Sequence, residues 1–118
     1  MQILLDEMAI PFVSVWPFAP ANSELWLNEA KTALQIVAEQ SGFLDGHIVH
    51  SPDEPSRYVI EARWQDVGSY RRALSSTEMK MRVWPFLADM LNEPTVYETL
   101  YRIDLTGTNS FETSLASD

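Results

Sequence analysis

Arg57-Tyr-Val-Ile-Glu-Ala-Arg-Trp64, followed by Gln65 and Asp66, is the stretch on which the reading of the fold turns. Side chains alternate across a strand, so Tyr58, Ile60, Ala62 and Trp64 point one way and Arg57, Val59, Glu61 and Arg63 the other. Both sets carry bulk, which predicts a strand covered on both faces. Asp66 follows at once and has the chemistry of a helix cap, placing a short helix over Val67 to Leu74. Upstream, Phe43 to His50 is a second strand-like run. Ser51-Pro-Asp-Glu-Pro-Ser56 joins the two and reads as a turn.

Further upstream, Trp26, Ala30, Ala33, Leu34 and Val37 recur at helical spacing on one face. Asn22 or Ser23 can cap that helix, and Gly42 is expected to stop it, because glycine adopts the left-handed conformation of a C-terminal cap. Ile10 to Trp16 is β-branched and aromatic, a first strand with Pro11 near its start. Downstream, Ser75 and Glu78 have the spacing of a capping box. Met79, Val83, Phe86, Leu87 and Met90 mark the apolar face of the helix that follows. Pro85 predicts a kink or restart near Val83-Trp84, since proline lacks the amide proton and displaces the preceding turn. Asn92-Glu-Pro94 ends that helix, and Val96 to Asp104 reads as the last strand. Beyond Gly107 the sequence is polar apart from Phe111 and Leu115 and is expected to form a loose tail. The expected division is an extension over 1–9, one domain over 10–104 and a tail over 105–118.

The order β-α-β-β-α-β is the ferredoxin-like arrangement, an α+β fold with an antiparallel four-stranded sheet. Helices on one face leave the other open. Val13, Val15, Val59, Leu100 and Arg63 are expected there, and a second copy of the same sheet would cover them in an isologous homodimer.

The 118 residues suit one domain. With 17 acidic residues against 8 basic ones the net charge is -9, which argues against nucleic acid and against an anionic membrane surface as partners. The absence of cysteine excludes disulfides, thiolate metal sites and a cysteine nucleophile. Met1 to Glu7 carries no basic region and no long apolar run, and no segment approaches the roughly 20 apolar residues of a membrane span, so a cytoplasmic location is expected.

The stretch Tyr58 to Asp66, with Tyr70, Ser75-Ser76, Trp84-Pro-Phe-Leu87, Pro94-Thr-Val-Tyr-Glu98 and Ser41-Gly-Phe-Leu-Asp-Gly46, resembles the antibiotic biosynthesis monooxygenase family over roughly Ile10 to Ile103. The resemblance implies a dimeric α+β barrel whose subunits each hold a pocket between sheet and helices. Some members oxidise aromatic polyketides or quinols with O₂ and no cofactor, and others open haem. Cofactor-free members pair a Trp and a Tyr six residues apart, as Trp64 and Tyr70 stand here. Their strand Asn is replaced by Ile60. Their helix Arg has an approximate counterpart in Arg82, two residues short. For the haem branch, Ser14 stands where an Asn is used, and no histidine lies between Val67 and Leu91.

Trp64, Tyr70 and Arg82 are therefore the candidate catalytic residues, with Tyr58, Ile60, Met79, Val83 and Phe86 lining a site for a small aromatic molecule. No cofactor and no metal is expected. Each residue also has a structural reading: Trp64 as core, Tyr70 as a packed helix tyrosine, Arg82 as a solvated charge. His47 and His50 stand three apart on one strand and so point to opposite faces, unable to share a metal. Arg63 and Glu61 face one way and suit an ion pair, with each other or across a dimer. Three functions remain in view: a cofactor-independent oxygenase of a small aromatic or quinol-like substrate, a dimer that only binds an apolar ligand, and, last, a haem-degrading enzyme.

Overall fold

Phe12, Ser14, Trp16 and Phe18 are buried on one side of the first strand, β1 (Phe12–Phe18), while Val13 and Val15 are half-buried on the other. The computed structural model describes residues 10–112. The calls for an extension over 1–9 and for the end of the tail fall outside that range. After β1 come α1 (Ser23–Ala38), β2 (Phe43–His50), β3 (Tyr58–Trp64), α2 (Val67–Leu74), α3 (Thr77–Arg82), α4 (Trp84–Leu87) and β4 (Val96–Glu98). A hairpin of β5 (Tyr101–Asp104) and β6 (Gly107–Ser110) closes the described chain. The antiparallel sheet has the order β2-β3-β1-β4, the ferredoxin-like order. The helices bury Trp26, Ala30, Ala33, Ile36, Val37, Tyr70, Ala73 and Met79 against its inner side.

Several boundaries differ from the sequence reading, each for a local reason. β1 starts at Phe12 and runs through Pro17 to Phe18. Pro17 has no N–H to donate, and β4 pairs only with Phe12, Val13 and Ser14, so no ladder bond is lost there. Asn22 is the cap of α1, its side chain accepting the Leu25 N–H at 3.0 Å. Helix α1 ends with Glu39 as its C-cap, so Gly42 is not the stop. Gly42 instead takes φ +91 in the following turn, where a Cβ would lie 2.3 Å from the Ser69 Cβ. The Gly42 carbonyl accepts the Gln65 N–H at 2.9 Å. Glycine thus lets the corner before β2 close onto the corner after β3.

Ser76, not Ser75, caps α3, accepting the Met79 N–H at 3.3 Å. Ser75 is the C-cap of α2. The helical stretch breaks at Val83, with Pro85 in the first turn of α4, as the proline requires. The expected last strand, Val96 to Asp104, is split at Thr99-Leu100. Its second part leaves the sheet and pairs with β6, so Gly107–Ser110 is a strand and not loose chain. Leu100 therefore lies beyond β4 and not on the sheet's outer face.

A register shift at Phe43/Asp45 makes a bulge in β2. It puts Phe43 edge-on against Trp64 on the inner side, and Asp45 opposite Arg63 on the outer side. The outer face then carries cross-strand pairs in rows: Asp45 holds Arg63 through contacts of 2.6–3.1 Å, and His47 lies 3.5 Å from Glu61. Each acid–base pair thus bridges β2 and β3, and Arg63 and Glu61 do not pair with each other. Among the described residues no helix is long and apolar enough to cross a membrane.

Substituting Gly42→Ala combines an unfavourable positive φ with a clash into α2. We expect a loss of about 2–4 kcal/mol in urea unfolding. An unchanged midpoint would show that α2 does not approach as closely as described.

Candidate active site

The strand ends and helix starts bring two indoles and two hydroxyls together in the dry layer between sheet and helices. Asp66 fixes the start of α2, its carboxylate accepting the Ser69 N–H at 2.8 Å. The first turn of that helix delivers Tyr70 to the inner side of β1 and β3. The Trp16 indole donates to the Tyr70 hydroxyl at 3.1 Å, and the Trp64 indole donates to the Ser14 hydroxyl at 3.1 Å. Trp64 and Tyr70 pack edge to face with ring centres 5.4 Å apart, and Phe12 lies 5.2 Å from Tyr70. Trp64 is 1% exposed and Tyr70 5%. Burial pushes the Tyr70 phenol above its ordinary value of 10.0, against the smaller pull of the Trp16 N–H. Tyr70 is thus held as the neutral phenol, accepting from Trp16.

The other candidates fall elsewhere in the same layer. Ile60, Met79 and Val83 fill its middle, with almost no accessible surface. Such burial leaves no water-sized space beside them, so a ligand would have to part the helices from the sheet. Tyr58 lies at the far end of β3, stacked on His50 at 4.3 Å and 5.1 Å from Trp26. Phe86 joins that end, 4.9 Å from Phe18. Arg82 lies in an outer groove with Trp26 and Phe86, its guanidinium 3.1 Å from the Glu78 carboxylate. The structure therefore brings Trp64 and Tyr70 together, and holds Arg82 on Glu78 at the surface.

His50, on the inner side, lies 2.7 Å from the Pro55 carbonyl oxygen, and His47 is on the outer side. Among the described residues no group of histidines and carboxylates could hold a metal ion. Trp16 and the acceptor role of Ser14 were not singled out in the sequence. The signal was available: both share the inward parity of Phe12, and each buried indole N–H needs an acceptor.

The family model for antibiotic biosynthesis monooxygenase matches residues 13–81. No protein of curated function shows a significant sequence match. Among solved structures, a conserved protein from Methanosarcina mazei Go1 superposes with a TM-score of 0.61 at 20% identity, over 80% of this chain and 96% of the other. SnoaB from Streptomyces nogalater, a cofactor-independent oxygenase, superposes with a TM-score of 0.58 at 18% identity, over 92% of this chain and 97% of its own. PA3566 from Pseudomonas aeruginosa gives 0.59 at 14% identity, over 77% and 93%. At these identities the likeness shows the fold.

Ser14→Ala removes the acceptor of a buried indole, and a loss of about 1–3 kcal/mol is expected in urea unfolding. Trp16→Phe with Tyr70→Phe removes both partners and should cost less than the sum of the singles; strict additivity would show that the bond contributes nothing. The raised Tyr70 value also has a sign. Its contribution to stability is fully present below about pH 10.0 and is lost as pH rises through the higher folded-state value. Unfolding across that range, with phenolate absorbance compared between the native chain and Tyr70→Phe, checks it. A Tyr70 that ionises with the exposed tyrosines would contradict it.

Proposed function

The chain belongs to the antibiotic biosynthesis monooxygenase family, and from that premise we propose that it is a cofactor-independent monooxygenase of a small aromatic or quinol-like substrate. The observation that carries the reading is the buried Trp64–Tyr70 pair, with Trp16 and Ser14 satisfying its polar atoms. The walls around the pair are aromatic, which suits a flat guest. No carboxylate, lysine or histidine is among the hydrogen-bond or ring partners of Trp64 and Tyr70. The substrate must therefore supply its own acidity.

For an anthrone-like substrate the balance is simple. The ring-flanked methylene loses a proton, and the resulting anion gives an electron to O₂. The two radicals combine to a hydroperoxide, which loses water to leave a ketone. One oxygen atom stays in the product, and the other leaves as water with the two methylene hydrogens. The Tyr70 hydroxyl, neutral at working pH, suits hydrogen-bond donation to the reduced oxygen, and the Trp64 N–H suits the substrate oxyanion once a ligand displaces Ser14. Water exclusion strengthens both contacts. Arg82 is given no catalytic part, because Glu78 holds it at the surface.

The same reading includes a homodimer. Val13, Val15 and Val59 are half-buried on the outer face, and Tyr101, Ile103 and Leu105 are exposed on the hairpin. A second copy laid on that sheet would cover both sets.

Oxygen uptake over anthrones, naphthols and hydroquinones, with no cofactor added, should exceed the buffer rate and fall about tenfold or more in Trp64→Phe and Tyr70→Phe. Its pH profile should follow the substrate's own acidity, since no base is among the hydrogen-bond or ring partners of the pair. Uptake equal to buffer on every compound would remove the oxygenase reading. Sedimentation should show twice the 13.5 kDa chain mass, shifting toward monomer in Val59→Asp; a native monomer at micromolar concentration would remove the dimer.

A further inference from the structure

An indole nitrogen can only donate, so its chemistry settles the direction of the bond at Tyr70. The Trp16 N–H gives and the Tyr70 oxygen takes, at 3.1 Å in the buried layer. The Tyr70 proton must then turn away from Trp16, since two hydrogens cannot share one side of an oxygen. Among the described residues nothing accepts that proton. Tyr70 is 5% exposed, so bulk solvent does not reach the hydroxyl freely. A buried O–H whose proton is unspent costs stability that a phenylalanine would not. The hydroxyl is thus held by a bond it receives, with its own proton left to give.

Trp16 is well placed to hold it. It lies on β1, which pairs with β3 along its whole length, and it stands opposite Ile60. Tyr70 comes 54 residues later on α2, whose start is fixed by the Asp66 cap. The bond therefore joins two elements whose positions are set independently of it. The ring partners of Tyr70 are Phe12 and Trp64, neither of which can carry a charge. Burial pushes the phenol up and the Trp16 N–H pulls it back, so Trp16 is the group that favours charge on the Tyr70 oxygen. A hydroxyl that accepts a hydrogen bond is also polarised into a stronger donor. The two inward indoles thus have different tasks. Trp64 bonds Ser14, which the substrate oxygen displaces in the proposed reaction, whereas Trp16 keeps its hold while Tyr70 donates.

We propose that Trp16 is the positioning residue of this site: its N–H aims and strengthens the Tyr70 hydroxyl as the donor to the oxygen being reduced. The role rests on the oxygenase reading of the Trp64–Tyr70 pair. Its test is oxygen uptake with anthrone, resolved into kcat and KM, in the native chain, Trp16→Phe, Tyr70→Phe and the double variant. Trp16→Phe should lower kcat about five- to tenfold with KM held within about twofold, as loss of a contact made in the transition state requires. In a chain already carrying Tyr70→Phe it should lower kcat no further, because Trp16 acts through that hydroxyl. Phenolate absorbance should show Tyr70 ionising at a higher pH in Trp16→Phe than in the native chain. A smaller ring could also unsettle the core, so benzothienylalanine, which keeps the shape of indole with sulfur in place of the N–H, is placed at position 16 alone and should reproduce both effects. An equal fractional loss of kcat with and without the Tyr70 hydroxyl would make Trp16 packing only and overturn the proposal. So would an unmoved Tyr70 ionisation, or full activity with benzothienylalanine. Uptake equal to buffer in the native chain would instead remove the oxygenase reading, and the proposed role with it.

Discussion

Two indole N–H groups facing inward from a sheet must find acceptors in a layer closed to solvent, and the arrangement around β1 follows from that constraint. Trp64 reaches across to Ser14, tying β3 to β1, and Trp16 reaches to Tyr70, tying β1 to α2. The two bonds are worth little net against water. Their loss would strand donors in a low-dielectric interior, so they select one packing among many apolar alternatives. Gly42 completes the lock by letting the corner at Ser69 close. The position of Tyr70 beside Trp64 is thus a consequence of how the sheet and α2 are joined.

That origin explains the character of the site. It is built from groups that stay neutral: two hydroxyls, two indoles and phenyl rings. In the proposed function such a site leaves the proton to the substrate's own acidity, holds the aromatic molecule away from water and gives hydrogen bonds to the charge that develops. Chemistry in which the substrate itself reduces O₂ asks for no more. Family membership supports the reaction class of this reading, and the buried Trp64–Tyr70 pair supports its choice of residues. At the other end of the layer Trp26 has aromatic neighbours and no acceptor among the described residues.

Much of this was legible in the sequence. The cap at Asp66 placed α2 to the residue, and the alternation of Tyr58, Ile60, Ala62 and Trp64 placed β3 to within one residue at its start, because one strong local hydrogen bond decided the first and one burial pattern the second. Pro85 located the helix break because it has no amide proton to continue the helix. The bulge at Phe43/Asp45 was not legible, since it obeys the partner strand: Phe43 is drawn inward by Trp64 and Asp45 outward by Arg63. The split of the last strand was hidden too. Tyr101-Arg-Ile-Asp104 has the composition of a strand in either sheet, and only its pairing with β6 decides which. Trp64 and Tyr70 were singled out through the family resemblance, and the structure packs them together, whereas the exposed setting of Arg82 depended on Glu78 one turn earlier, a pairing that helix spacing alone could have supplied.

Isotope tracing of a single turnover tests the central claim most directly. With an anthrone as substrate and heavy-oxygen O₂ as the only oxidant, the account predicts one labelled oxygen in each product molecule, at the carbon that was the methylene, the other in water, and no accumulated hydrogen peroxide. A product that carries no label, or label recovered only as peroxide, would contradict it.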